Sequence, residues 1–262
     1  MARQRVRAIS ALRGFGTKNW DEHVSDLVEM ASSPGFQALR DEIIALAAPA
    51  PTDEVLDIGA GTGLLTLALA PDVQRVWALD VSVAMCQHLE ERATDLGIAN
   101  VGTLHSSAVQ VPLATNSVDL AVSNYCFHHL RDSEKDRALA ELHRVLRPGG
   151  RLVFADMMFS VSMVDRRNRA VVASLVGRLL RRGPAGVLRI VKNAFRYLTG
   201  RWEHPAQVAW WREALARAGF DSVQVRSLEH EGGIASARCP PAAPGGRGPV
   251  LTSPRQDADE VG

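Results

Sequence analysis

The sequence predicts an α/β protein built on a doubly wound, mostly parallel sheet of seven strands. Short apolar runs recur along the chain and alternate with helix-length amphipathic segments, the pattern of parallel strands joined by right-handed crossovers. Residues 54–63, EVLDIGAGTG, pass from an apolar strand into three closely spaced glycines and on into the helical LLTLALA. The 262 residues, 46% of them hydrophobic, suffice for one large α/β core with appendages.

In chain order, the basic opening MARQRVRAISALRGFG has no apolar centre or cleavage site, so it is not read as a secretory signal. Residues 1–50 are expected to form a helical cap, with two helices parted by Ser33-Pro34-Gly35 and stopped at Pro49 and Pro51. The α/β core is expected over 51–160. Its strands are EVLDI, RVWALD ending in Asp80, the stretch 100–105, SVDLAVSNYC and RLVFAD. Helices lie between them, and Ser82 is a natural N-cap for the helix after Asp80. Residues 161–204 break the alternation with two basic amphipathic helical segments around Gly183-Pro184. A helix and two last strands are expected over 205–238. The tail 239–262, rich in Pro, Gly, Ala and Ser, is expected to be disordered.

Composition excludes several classes. No run of 18 apolar residues offers a membrane span. Cys86, Cys126 and Cys239 are too few and scattered for a disulfide or zinc framework, which suits a reducing, cytoplasmic setting. Net charge is only +1, yet ten Lys and Arg residues fall between Ser160 and Arg201 against Asp165 alone. Such asymmetry speaks of anionic partners more than the total does.

The glycine turn has a specific chemistry. Glycines admit close backbone approach to a ligand, and free N–H groups at a helix start favour anionic or polar groups. A dinucleotide fingerprint needs Gly or Ala where Leu64 stands, and the third glycine comes early, at Gly63. Asp80, at the end of the second strand, can accept both hydroxyls of an adenosine ribose. The pattern DIGAGTG with Asp80 resembles motif I and the ribose acid of the class I S-adenosylmethionine (SAM) methyltransferases. SVDLAVSNYCFHHL resembles their fourth strand, which an aspartate opens and a histidine pair often follows. ELHRVLRPGGRLVFADM resembles the helix, turn and fifth strand beyond it. The likeness covers about residues 50–160 and extends to ALARAGFDSVQVRSLE near the end.

The resemblance implies a Rossmann-like methyltransferase fold with SAM as cofactor. The residues it points to are Asp57, Gly59, Ala60, Gly61, Gly63, Asp80, Val81, Ser107, Ala108 and Ser123. In many relatives an acid precedes the alanine after the third strand. Here Ser107 stands before Ala108, a neutral acceptor weaker than a charge-assisted one. SAM brings an electrophilic methyl, so the protein has mainly to align an acceptor and exclude water. His128 and His129, beyond the fourth strand, are candidates for a base, and Tyr125 and Asp156 occupy similar strand ends. No metal is expected, since the histidines are adjacent and Cys126 is the nearest thiol. Asn124-Tyr125-Cys126-Phe127 resembles the Asn-Pro-Pro-Tyr/Phe motif of amine methyltransferases but lacks both prolines.

The expected activity is therefore methyl transfer to a small-molecule or lipid-like acceptor. The basic segment 161–204 could rest peripherally on an anionic membrane surface. RNA or protein methylation through the arginine-rich helices is the alternative, as is a non-catalytic SAM-binding module. DNA is not an expected partner, and few aromatics interleave with the arginines as single-stranded nucleic acid would require.

Overall fold

A computed structural model describes residues 20–159, 166–181, 183, 203–228 and 232–242. Its strands are β1 Glu54–Ile58, β2 Arg75–Asp80, β3 Val101–His105, β4 Val118–Asn124, β5 Leu146–Met157, β6 Asp221–Ser227 and β7 Gly232–Arg238. The helices are α1 Val24–Ala31, α2 Pro34–Ala47, α3 Thr66–Leu69, α4 Val83–Asp95, α5 Asp132–Val145, α6 Arg166–Leu180 and α7 Val208–Arg217. One seven-stranded sheet runs in the order β3-β2-β1-β4-β5-β7-β6. Only β7 opposes its neighbours, pairing antiparallel with both β5 and β6. The order reverses between β1 and β4, which are parallel and adjacent. In an open α/β sheet, that switch point is where the carboxyl ends of the strands part to admit a ligand.

Strand residues alternate between two cores, as the period of two demands. Val55, Leu120, Val122 and Val153 face a layer closed by Ile43 and Ala47 of α2 and Leu69 of α3. Leu56, Ile58, Ala121 and Phe154 face the opposite layer, closed by Leu139 and Leu142 of α5 and Trp211 and Leu215 of α7. The central strands are thus covered on both sides, which is why they read as continuous apolar runs. Burying each such Val, Leu or Ile contributes about 1.5–3 kcal/mol. A few of them suffice to hold strained turn residues at the sheet edge, Tyr125 (φ 54°) among them.

The local signals operate largely as the residues suggest. Pro34 stands at the start of α2, and the helix ends in a left-handed Ala48 just before Pro49. The Ser82 hydroxyl caps α4 by accepting from the Met85 N–H at 3.1 Å. Four boundaries differ from the sequence reading, the first being that of α2, which takes in Pro34 and Gly35 of the expected turn. The helix after the glycines is only Thr66–Leu69, followed by a 3-10 turn that contains Pro71. Arg147-Pro148-Gly149-Gly150 lies inside β5, which starts at Leu146 and pairs with β4 across a register shift. Cys239, at the start of the expected tail, is buried, and its N–H donates to the Gly150 carbonyl at 2.9 Å. Antiparallel pairing of β5 and β7 carries the ordered chain to at least Pro240. Of the basic segment, α6 is described; residues 184–202 lie outside the described residues, as do residues 1–19 of the expected cap and 243–262 of the tail.

Candidate active site

The site assembles at the carboxyl ends of β1, β2, β4 and β5. After β1, Gly59 and Ala60 both donate their N–H to the Leu79 carbonyl, at 2.8 and 3.0 Å, tying the glycine turn to the end of β2. Asp80 completes the loop. Its Oδ2 accepts from the Gly61 N–H at 2.8 Å and its Oδ1 from the Ser82 N–H at 2.9 Å. Burial pushes the Asp80 carboxyl above the ordinary range, while these N–H donors pull it back. Val81, next in the chain, is 47% exposed, an apolar surface beside the carboxylate.

The other expected cofactor residues divide into two groups. Ser107 and Ala108 are buried in the turn after β3, where the Ser107 hydroxyl accepts from the Val109 N–H at 3.4 Å. Asp57 and Ser123 lie beneath the glycine turn and face inward. Ser123 donates to the Ile58 carbonyl at 2.8 Å, and Asp57 accepts from the Thr66 hydroxyl at 2.6 Å. Burial pushes the Asp57 carboxyl up to about 7, against the opposing Thr66 hydrogen bond. A carboxyl raised in the folded state stabilises the protein below its unfolded value near 3.8, and that contribution is lost as pH rises to about 7. Asp57→Asn should therefore gain stability over wild type across that window and hold a constant margin above it. Urea midpoints at several pH values check this; parallel curves would refute it.

Beyond β4 the chain turns through a left-handed Tyr125, and Cys126 packs against Gly59 so closely that a Cβ on Gly59 would lie 2.4 Å from its Sγ. This contact sets the histidine turn Phe127–His129 beside the glycine loop. Burial pushes the Cys126 thiol well above its usual value, and the charges of Asp156, Asp80 and Asp57 push it further. Three carboxyl groups thus converge around the two loops. Asp156, at the end of β5, is buried and engages His128 twice. Oδ1 lies 2.5 Å from His128 Nδ1, and Oδ2 accepts from the His128 N–H at 3.0 Å. A carboxylate only accepts, so Nδ1 carries the proton of that bond.

Aromatic rings cluster around the histidine turn. Tyr125 packs at 5.2 Å from Phe36 of α2 and 5.9 Å from His128, and Trp20 packs at 4.6 Å from His129. The adjoining Asp21 reaches the loop after Asp80. Its carboxylate accepts from the Ser82 hydroxyl at 2.5 Å and from the Ala84 N–H at 3.2 Å. Residues 20 and 21 therefore bridge the histidine turn and the loop after Asp80. Sequence reading placed Trp20, Asp21 and Phe36 in the helical cap without naming them for the site, because their partners are distant along the chain. It also set aside Asn124, whose Oδ1 is buried with no hydrogen-bond partner among the described residues. Glu203 joins His128 and His129 here too, each offering a ligand atom within 4.8 Å of the others, so the absence of metal-ligand spacing along the sequence is not preserved in space.

These residues suit SAM. The hydroxyls of its ribose suit the Asp80 carboxylate beside the glycine turn, and its ammonium can donate to an orphaned acceptor such as Asn124 Oδ1. Gly61 presents open space where a side chain would stand. Asp80→Ala should weaken SAM binding by about 1–3 kcal/mol through unpaired ribose hydroxyls. Calorimetry that finds an unchanged affinity would give the ribose to another residue.

A seven-stranded doubly wound sheet with a reversed last hairpin, a glycine turn at the switch point and an acid closing the adjacent strand defines the cofactor-binding fold of methyltransferases. The family model described as a methyltransferase domain matches residues 55–150. An uncharacterized methyltransferase of Oceanobacillus iheyensis is 32% identical over 160 residues, 59% of this chain and 72% of that protein. The chain spans about half, 54%, of similar curated relatives from Geobacillus species. Among solved structures, a SAM-dependent methyltransferase from Aquifex aeolicus shares 22% identity with a TM-score of 0.58, over 83% of this chain and 97% of that one. A phosphoethanolamine N-methyltransferase of Haemonchus contortus, in complex with phosphomonomethylethanolamine and S-adenosylhomocysteine, shares 16% identity with a TM-score of 0.65, over 84% of this chain and 57% of that one. At these identities the structures establish the fold. The chain belongs to the class I SAM-dependent methyltransferase family.

Proposed function

We propose that the chain transfers a methyl group from SAM to a small or lipid-like acceptor, bound between the glycine turn and the wall of Trp20, Phe36, Tyr125 and His129. The observation that carries this reading is the His128–Asp156 pair, buried and held beside the glycine turn by Cys126 against Gly59. SAM would supply an electrophilic carbon, and the Gly59–Gly63 turn, Asp80 and the Ser107–Ala108 turn would hold it. Asp156 fixes the His128 ring so that Nε2 keeps its lone pair for the acceptor side, where it can accept a proton from a hydroxyl or amine. Trp20 and Asp21 span the cleft and shield it from water, which favours transfer over hydrolysis.

The lipid-like branch is supported by α6. Val176 and Leu180 are 36% and 53% exposed on a helix that also exposes Arg169. Apolar and basic groups side by side suit an anionic amphiphile or a membrane surface. No helix among the described residues is long and apolar enough to cross a membrane. The experiment is incubation of the protein and cell extract with methyl-labelled SAM, followed by fractionation, with and without anionic vesicles. Label is expected in the organic or small-metabolite fraction. Label confined to RNA or protein would overturn the acceptor class, and no transfer at all would leave a SAM-binding module.

A further inference from the structure

We propose that His128, His129 and Glu203 form a binding site for a divalent transition-metal ion, on the acceptor side of the cleft. Two imidazoles and a carboxylate already lie with their ligand atoms within 4.8 Å of one another. Bonds of about 2.0–2.2 Å around a common ion would draw them closer together by an ångström or so, a movement within reach of one glutamate side chain. The backbone that carries Glu203 is fixed to the histidine turn. The His204 N–H donates to the His128 carbonyl at 2.6 Å, and the buried Lys135 ammonium donates to the His204 carbonyl at 2.5 Å. The proximity is thus set by hydrogen bonds to the main chain of His204, from the histidine turn and from Lys135 of α5, and not by chance meeting of side chains.

A second, independent observation points to a ligand. A metal-bound histidine characteristically donates its other ring N–H to a carboxylate, which fixes the tautomer and raises the basicity of the ligating nitrogen. Asp156 stands in that relation to His128, with Oδ1 2.5 Å from Nδ1, and both side chains are buried. With Nδ1 turned to Asp156, Nε2 is the nitrogen left for an ion. The donor set selects the class of metal: imidazole nitrogens suit Zn2+, Fe2+ and Co2+, whereas Mg2+ and Ca2+ prefer oxygen alone. Three protein ligands leave a coordination position open, as catalytic sites do.

That position would take the acceptor itself, a hydroxyl or thiol able to ligate the ion. Coordination releases the acceptor proton to solvent. The bound oxygen or sulfur then forms a bond to the methyl carbon as the carbon–sulfonium bond breaks, its electron pair remaining on the departing thioether. In that state the histidines anchor and activate the acceptor through the ion. This acceptor role rests on the methyltransferase reading; metal binding itself does not.

The test uses the full, untagged chain stripped of metal and titrated with Co2+, whose visible absorption reports coordination. One tightly held Co2+ per chain with the strong absorption of a four- or five-coordinate site is expected, displaced by Zn2+. Asp156→Asn should weaken it by about 10–100-fold, and Glu203→Gln and His129→Ala should do so at least as much. SAM affinity of metal-free Glu203→Gln, measured by calorimetry, should equal that of wild type and so report an intact fold. Weak octahedral absorption alone, or a tight site that survives both Glu203→Gln and His129→Ala, overturns the proposal. Metal binding without methyl transfer would sustain the site and remove the methyltransferase reading instead.

Discussion

Gly61→Val should fold and lose SAM affinity by more than about 100-fold, equivalent to about 2.8 kcal/mol. Gly61 has φ 53°, and a Cβ built there would meet nothing nearer than the Gly59 carbonyl oxygen at 3.9 Å. Open space on the ligand side is what a cofactor would fill, so the valine methyl groups exclude the ligand and not the protein. The contrast is Gly59, where the same addition would strike Cys126 Sγ at 2.4 Å, so substitution there disturbs the loop itself. A left-handed valine still costs about 1–2 kcal/mol, which lowers Tm by a few degrees in a chain of this size. Gly61→Ala, with less strain, should show a smaller loss in the same direction. Calorimetry beside thermal unfolding separates the effects. A folded Gly61→Val protein with wild-type SAM affinity would end the assignment of this loop to the cofactor.

What the residues disclosed in advance depended on how local each signal was. The apolar strands, the Ser82 cap and the placing of Asp80 beside the glycine turn are written in short stretches or in a spacing set by one crossover, so they were legible. The start of β5 and the burial of Cys239 were not, because pairing with β4 and hydrogen bonds between Gly149, Gly150 and Cys239 decide them. The site followed the same rule. Asp57 and Ser123 could be located but not oriented; only the packed core shows them turned inward to Thr66 and Ile58. His128 and Asp156 were both visible at strand ends, yet their union requires β4 and β5 to be neighbours. Asp21 lies 61 residues from Ser82 and Glu203 lies beyond the basic segment, so only the fold could bring them in.

Asp156→Asn should lower the methyl-transfer rate by about 10²–10⁴-fold and leave SAM affinity near wild type. The substitution preserves volume at a fully buried position, and its carbonyl oxygen, set where Oδ2 stands, can still accept from the His128 N–H, while the Met157 N–H loses its acceptor. It changes what faces His128 Nδ1. An amide NH2 in that place donates, so Nδ1 becomes the acceptor and the ring proton moves to Nε2. A protonated Nε2 has no lone pair with which to take a proton or hold an ion, so both duties assigned to that nitrogen fail together. The same tautomer logic governs carboxylate–histidine pairs in other enzymes. Gly59, Gly61 and Asp80 are untouched, which is why cofactor affinity should not move. Single-turnover transfer from labelled SAM, paired with calorimetry on the same preparation, measures the separation. An unchanged transfer rate would show that the His128–Asp156 pair only packs the end of the sheet. A parallel loss of SAM affinity would assign Asp156 to the cofactor.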